Sequence, residues 1–190
     1  MNKYSAKPGD IFLCDSDRFA AKIVKTLMTA PTVWQYLWRA IRKTNQEVRF
    51  YHAGLIIDDD TMIEQQGKVQ YGETQKILSR EIIIYRKKNL TDLQRTTLVG
   101  AAARDLGDSY GVISILGKTL TWITGLKFFE DFVHWDDTDI CVNKVGKWYK
   151  ETVGETFGVK SYRELTTDII DDYCYLSLDW EVIYVNEGDL

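Results

Sequence analysis

The sequence predicts a single α+β domain, in which an antiparallel sheet is packed against helices. Three observations predict this class. Short runs of β-forming residues follow one another with turn residues between them, and segments with apolar residues at helical spacing flank those runs. The chain has 190 residues, of which 45% are hydrophobic, and this is enough for one buried core. No internal repeat or linker-like stretch divides it, so we expect one domain over residues 1–190.

Five segments are predicted as strands. Gly9–Cys14 is a short apolar run that starts at a turn, and Val48–Ile57 is dense in β-forming residues. The second of these is expected to be a central strand covered on both faces. Thr61–Gln65 follows a turn of three aspartates and is expected to pair with it as a hairpin. The remaining predicted strands are Glu81–Tyr85 and Trp180–Val185.

Four segments are predicted as helices, because their apolar residues recur at helical spacing. Asp17–Met28 is the clearest amphipathic case, and Thr32–Lys43 follows it. Thr91–Leu106 begins with a Thr-Asp cap and is followed by glycine, and Asp139–Val153 is the fourth. Between the last two, Tyr110–Trp135 is apolar and punctuated by glycines, so we expect helical pieces and a loop there.

Charge and motif content exclude several classes of protein. The chain has 24 basic and 28 acidic residues and a net charge of −4, which disfavours a nucleic-acid binder that works by neutralising phosphates. No P-loop, GxGxxG or GxSxG motif is present. No secretory signal or membrane span is recognised, and the three cysteines show no CxxC spacing. We therefore expect a soluble, cytoplasmic protein with free thiols and no cofactor, and the sequence does not predict its oligomeric state.

His52 is the first candidate for chemistry, since His52 and His134 are the two histidines of the chain. It lies in an apolar strand, on a face that alternation assigns also to Phe50, Gly54 and Ile56. The glycine is expected to leave room for a group to approach the ring. The alternative is a core histidine bonded to a backbone carbonyl.

Cys141 is the second candidate, because it opens a predicted helix with Asp139 as its expected N-cap. The free N–H groups and the dipole at a helix start stabilise a thiolate, which is the nucleophilic form of cysteine. The neighbouring aspartates act against this. The alternative is a small buried apolar residue, and we expect Cys14 and Cys174 to be of that kind.

Glu64 is the third candidate, because it lies on the strand predicted to pair with the strand of His52. A carboxylate there can accept a hydrogen bond from one imidazole nitrogen and leave the other facing a thiol. Spacing alone favours an ordinary solvated glutamate at this position. Gln65 is a weaker alternative for the same role.

Two further arrangements use residues from the same set. His134 lies seven positions before Cys141 and is an alternative base. A metal site built from His134, Cys141, Cys174 and an aspartate lacks any recognisable ligand spacing, so no metal is expected.

Several short motifs occur in a fixed order along the chain. They are Pro8-Gly9-Asp10, Tyr51-His52-Ala53-Gly54, Ile63-Glu64, Leu106-Gly107 with Tyr110, and Ile140-Cys141. This order, from Gly9 to about Leu165, resembles the circularly permuted branch of the NlpC-type papain-like cysteine hydrolases. That branch is the YiiX-like group, to which lecithin-retinol acyltransferase is also related. The resemblance implies a permuted papain-like fold, with Cys141 as nucleophile, His52 as general base and Glu64 as the residue that orients the imidazole.

The resemblance also implies a substrate class, namely an amide bond in a small peptide or a peptidoglycan fragment. The chain departs from the family at Val142-Asn143, where relatives often carry Ser-Glu, so the substrate stays open. We expect Tyr110, Trp34 and Trp38 to contact substrate. Apolar segments around them are long for the family and predict a lid or hydrophobic wall, with core filling as the alternative. They support a second hypothesis, a lipid amide or ester hydrolase or acyltransferase. A third hypothesis is a non-catalytic binding protein that keeps the fold. This class includes phage-encoded proteins.

Overall fold

The computed structural model describes residues 5–15, 49–109 and 139–187. Over these ranges the chain forms six strands, four α-helices and one 3₁₀ turn, so the predicted α+β class is confirmed. The strands are β1 (Ile11–Cys14), β2 (His52–Ile56), β3 (Thr61–Gln65), β4 (Val69–Glu73), β5 (Ile82–Lys87) and β6 (Trp180–Asn186). The helices are α1 (Thr74–Leu78), α2 (Asp92–Arg104), α3 (Cys141–Val153) and α4 (Thr167–Leu176), and the 3₁₀ turn is Tyr162–Glu164.

The six strands form one antiparallel sheet in the order β4-β3-β2-β1-β5-β6. Strands β1 and β2 lie at its centre, and every residue of both is buried, as predicted for the second of them. The register places Cys14 opposite His52, and Gly54 opposite Glu64. These pairings bring the start of β2 and the end of β3 to the same part of the sheet.

The sheet carries a core on each of its faces. Ile11 and Leu13 of β1 belong to the larger core, which also contains residues of α2, α3 and α4. The alternate residues Phe12 and Cys14 belong to the smaller core, together with Ile77 of α1. Among the described residues, alternation along a strand therefore separates a face that packs against three helices from a face that packs against one short helix.

Asp10, in the Gly9-Asp10 pair before β1, supports the structure and takes no part in the candidate chemistry. Its fully buried carboxylate accepts hydrogen bonds from Arg86 Nε at 2.9 Å and Arg86 Nη2 at 2.6 Å. Gly9 adopts a φ of +90°, and its carbonyl accepts a hydrogen bond from the hydroxyl of Tyr149. Because Tyr149 belongs to α3, this motif ties the start of β1 to the helix that carries Cys141.

Strand predictions agree with the structure to within a few residues, and the β3 prediction agrees at both ends. β2 starts at His52, four residues later than predicted. Phe50 precedes the strand and packs in the larger core with Ile11 and Leu13. The expectation that Phe50 shares a face with His52 is therefore wrong, because strand alternation does not extend back to it.

Besides the 3₁₀ turn, three elements were not predicted. β4 lies at one edge of the sheet, and exposed residues alternate along it with buried or partly buried ones. α1 is only five residues long. α4 is acidic, but its N-cap signal is present, since the Thr166 side chain accepts a hydrogen bond from Ile169 N at 3.3 Å. The predicted helices Asp17–Met28 and Thr32–Lys43 lie outside the described residues, as does all of 110–135. Within the described part of the chain, no helix has the length and apolar character needed to cross a bilayer.

Candidate active site

His52 and Glu64 are hydrogen-bonded in the structure, with Nε2 of the imidazole 2.8 Å from Oε2 of the carboxylate. The β2–β3 register accounts for this, because Glu64 lies opposite Gly54, two positions from His52 on the same face. The expectation of a solvated strand glutamate does not hold, since Glu64 is buried. Of the two arrangements expected for Glu64, the structure contains the one in which its carboxylate is hydrogen-bonded to the imidazole of His52.

The imidazole of His52 is also hydrogen-bonded to the thiol of Cys141. An imidazole has two nitrogens, each with one in-plane bonding position. Since Nε2 is bonded to Glu64, the nitrogen that faces the sulfur is Nδ1. The ring thus bridges a sulfur and a carboxylate that come from distant parts of the chain.

Two backbone amides also donate to the sulfur of Cys141. One is the N–H of Val142, in the first turn of α3, where amides have no partner within the helix. The other is the N–H of Ala53, which lies just beyond the registered β2–β3 pairs that begin at Gly54. The sulfur therefore receives donors from both the helix start and the central strand.

This environment favours the charged forms of all three side chains. Burial acts to raise the pKa of Cys141, but the hydrogen bond and charge of His52 outweigh it and lower that pKa. Burial acts to lower the pKa of His52, but its bonds to Cys141 and Glu64 raise it to about 9. The pKa of Glu64 is lowered, because bonds to His52 and Gln66 outweigh its burial. These directions favour a thiolate beside an imidazolium over the neutral pair.

Cys14 and Cys174 differ from Cys141 in this respect. Both are free and buried, and burial raises the pKa of each thiol well above its ordinary value. The expectation that they are inert buried residues agrees with the structure.

Gln66 also contacts Glu64, and the sequence reasoning missed it. Its Nε2 donates to Oε2 of Glu64 at 2.6 Å. Gln65, the weaker alternative to Glu64, instead donates to the Ser109 carbonyl at 3.2 Å. The signal that could have found Gln66 is its position two residues after Glu64, which places both on one face of the strand.

Gly54 has a different role from the one predicted. A Cβ at this position would lie 2.5 Å from the ring of Phe12 and 2.6 Å from the carbonyl oxygen of Ile63. The group that occupies the space beside His52 is the Phe12 ring, with a centroid distance of 5.7 Å. The glycine therefore makes room for an aromatic side chain of β1, not for an approaching ligand.

The start of α3 is held in place by several contacts, but not by the predicted cap. The N-cap is Ile140 without a side-chain cap bond, so the prediction that Asp139 caps the helix is wrong by one position. Asn143 Nδ2 donates to the Tyr162 carbonyl at 2.7 Å. A Cβ at Gly146 would lie 2.1 Å from the Leu165 side chain, so the glycine permits close packing of the segment after α3.

The three candidate side chains are largely enclosed. Cys141 is 4% exposed, Glu64 is 5% exposed and His52 is 7% exposed. This low exposure strengthens the electrostatic interactions within the group. The predicted substrate contacts Tyr110, Trp34 and Trp38 lie outside the described residues, and so does the alternative base His134.

Comparisons with known proteins bear on the fold. No family model matches the chain, and no curated protein matches it in sequence. Among solved structures, it is similar to the metalloprotein yiiX from Escherichia coli O157:H7, DUF1105, with a TM-score of 0.56 and 14% sequence identity. The match covers 95% of this chain and 97% of that one. The chain therefore shares its fold with a YiiX protein over almost its whole length.

The description of yiiX as a metalloprotein raises the question of whether this site fits a metal ion. Within residues 5–15, 49–109 and 139–187, no group of three or more His, Cys, Asp and Glu side chains could hold one. Glu64 and Cys141 occupy opposite nitrogens of His52, so their donor atoms do not converge on one point. Cys174 lies elsewhere, near Glu155. The described residues therefore do not fit a resident metal ion.

Proposed function

We propose that this chain is a cysteine amidohydrolase of permuted papain-like architecture, which cleaves an amide bond in a small peptide or a peptidoglycan fragment. The observation that carries the proposal is the bridging imidazole of His52, bonded to the thiol of Cys141 and to the carboxylate of Glu64. The chain order, with the histidine before the cysteine, is that of the permuted branch. The shared fold with yiiX supports the same architecture.

Acylation follows from the charge state of the pair. The thiolate of Cys141 attacks the carbonyl carbon of the scissile amide, and the electron pair of the C=O bond moves onto its oxygen. The positive end of the α3 dipole would stabilise that oxyanion, because Cys141 is the first residue of the helix. The His52 imidazolium then gives its Nδ1 proton to the departing amine, the C–N bond breaks, and a thioester is left.

Deacylation reverses the role of the histidine. Neutral His52 takes a proton from water at Nδ1, and the resulting hydroxide equivalent attacks the thioester carbonyl. The C–S bond breaks, a carboxylic acid is released, and the thiolate and imidazolium are restored. Glu64 holds Nε2–H throughout, so that Nδ1 always faces the sulfur.

A second candidate is a non-catalytic binding protein with this fold, and the small exposure of Cys141 is the observation that favours it. An enclosed sulfur reacts with substrate only if the substrate reaches it. Size-graded thiol reagents separate the two candidates, because an enzyme must admit a reagent of the size of a dipeptide to Cys141.

Turnover of defined substrates tests the proposal. The protein is incubated with a panel of muropeptides and a panel of lipid amides and esters, and products are read by mass spectrometry. We expect muropeptide cleavage that is lost in Cys141→Ala and retained in Cys174→Ala, a matched control at a buried thiol. Turnover of lipids alone would replace the amidase proposal with the acyltransferase or lipase hypothesis. No turnover on either panel, together with slow labelling of Cys141, would leave the binding protein.

A further inference from the structure

One oxygen of Glu64 receives two hydrogen bonds. Oε2 accepts from His52 Nε2 at 2.8 Å and from Gln66 Nε2 at 2.6 Å. A carboxylate oxygen has two lone-pair sites in its plane, so these two donors define the plane of the group. On the other side, Oε1 lies against Gly72, where a Cβ would be 3.1 Å away. The carboxylate is thereby fixed in both position and rotation.

The turn between β3 and β4 explains why Gln66 reaches back to Glu64. Gln66 N donates to the Lys68 carbonyl at 3.1 Å, and Gly67 between them has a φ of +85°. This left-handed conformation suits glycine, and no atom of the described residues lies within 4 Å of the position where its Cβ would be. The tight turn holds Gln66 at the end of the strand, on the same face as Glu64.

Gln66 is suited to this task because it is uncharged. Its amide N–H helps to keep Glu64 ionised, and it contributes to the lowered pKa of that carboxyl. A lysine or arginine at the same place would cancel the negative charge on which the imidazolium of His52 depends. A neutral donor orients the carboxylate and leaves its charge for the imidazole.

We infer that Gln66 is a positioning residue of this site, which fixes Glu64 so that His52 keeps Nδ1 at the sulfur of Cys141. This inference rests on the proposed function. The β3–β4 turn would thus affect the reactivity of the Cys141 thiol through Glu64 and His52.

The test measures the thiol itself, so it needs no substrate. The rate at which Cys141 is alkylated by iodoacetamide is followed against pH in the wild type, in Gln66→Met and in Gln66→Glu. Gln66→Met keeps the shape and removes the donor. We expect its half-maximal pH to rise by about one unit or more, and its rate at pH values well below the wild-type midpoint to fall about ten- to hundredfold, since it loses a hydrogen bond to a charged group. Gln66→Glu keeps size and polarity but removes the amide donor, so it serves where the methionine impairs folding. Two adjacent carboxylates repel each other and raise the pKa of one of them, so this profile should also differ from the wild type.

Gln70→Met is the matched control. Gln70 lies opposite Glu64 in the β3–β4 register, and its replacement removes neither donor to Oε2. We expect its profile to match the wild type. If the wild type has a low half-maximal pH and neither Gln66→Met nor Gln66→Glu changes it, the inference about Gln66 is overturned and the proposed function is not. A wild-type thiol that titrates at the ordinary value of about 8.5 would overturn the proposed function, and the inference with it.

Discussion

Lys144 of α3 and Asp105, just after α2, form a buried ion pair with Nζ 2.9 Å from Oδ2. The same ammonium lies 2.6 Å from Oδ2 of Asp108, and the indole of Trp148 donates to Asp105 at 3.0 Å. This network joins the first turns of α3 to the end of α2. It therefore holds the helix start on which the candidate nucleophile lies.

Lys144→Met should destabilise the fold, because it leaves the mostly buried Asp105 without its nearest cation. Breaking a buried pair costs about 3–5 kcal/mol, and the partial exposure of Asp105 reduces this to about 2–4 kcal/mol. Urea denaturation measures the loss. Lys147→Met is the control, since Lys147 is 3.5 Å from the same oxygen and more exposed, and it should cost below about 1 kcal/mol. Equal losses in the two variants would contradict the importance given to Lys144.

The rate of Cys141-dependent amide turnover should follow a bell-shaped pH profile, because it needs both the thiolate and the imidazolium. The thiolate of Cys141 has a lowered pKa, so activity is lost only as pH falls through that value. The imidazolium of His52 has a pKa of about 9, so activity is lost as pH rises through that value. Alkylation of Cys141 from pH 4 to pH 10 checks the acid limb alone, and substrate turnover over the same range checks both limbs.

His52→Gln is the informative variant for that profile. Without the imidazolium, the pKa of Cys141 should rise above its ordinary value, because burial is then the main influence left. Alkylation at pH 7 should fall accordingly. An unchanged profile in this variant would show that the helix start and the backbone amides alone hold the thiolate.

Glu64→Gln should lower the pKa of His52 from about 9 toward the ordinary value of 6.5, because the variant removes the negative charge at Nε2. The chain has two histidines, so His134→Gln leaves one imidazole for NMR titration. A raised folded-state pKa stabilises the fold below pH 6.5, and that contribution disappears as pH rises through 9. Glu64→Gln should therefore flatten the dependence of unfolding free energy on pH between 6.5 and 9. A His52 titration that stays near 9 would show that Cys141, and not Glu64, keeps the pKa of His52 raised.

The candidate side chains could be found from the sequence because each has a local signal. Cys141 opens an amphipathic segment, and Thr61–Gln65 follows its partner strand through a short turn, which pairs Glu64 with the strand of His52. Such signals depend on residues close together in the chain. They were enough to predict that these strands are neighbours.

Contacts that depend on distant segments could not be predicted in the same way. The donation from Ala53 N–H to Cys141 depends on how α3 meets the end of the β2–β3 ladder. Phe12 fills the space above Gly54 only because the β1–β2 register places the two residues opposite each other. Periodicity gives the face of a residue, but it does not give the register of the neighbouring strand.

Gly54→Ala tests whether close packing by Phe12 sets the environment of His52. The new methyl group would lie 2.5 Å from the Phe12 ring and 2.6 Å from the Ile63 carbonyl oxygen, so both must shift. We expect a loss of about 1–3 kcal/mol in unfolding free energy, with part of it recovered when Phe12→Leu is added.

Gly100→Ala is the matched control for that substitution. Gly100 lies in α2, and in the part of the chain that the structure describes no atom lies within 4 Å of the position of a Cβ, so alanine should stabilise the helix by about 0.5–1 kcal/mol. The opposite signs follow from one difference, namely whether another group already occupies the space of the methyl. If Gly54→Ala were neutral, the ring of Phe12 would be free to move from His52 without cost. The imidazole would then owe its orientation to Glu64 and Cys141 alone.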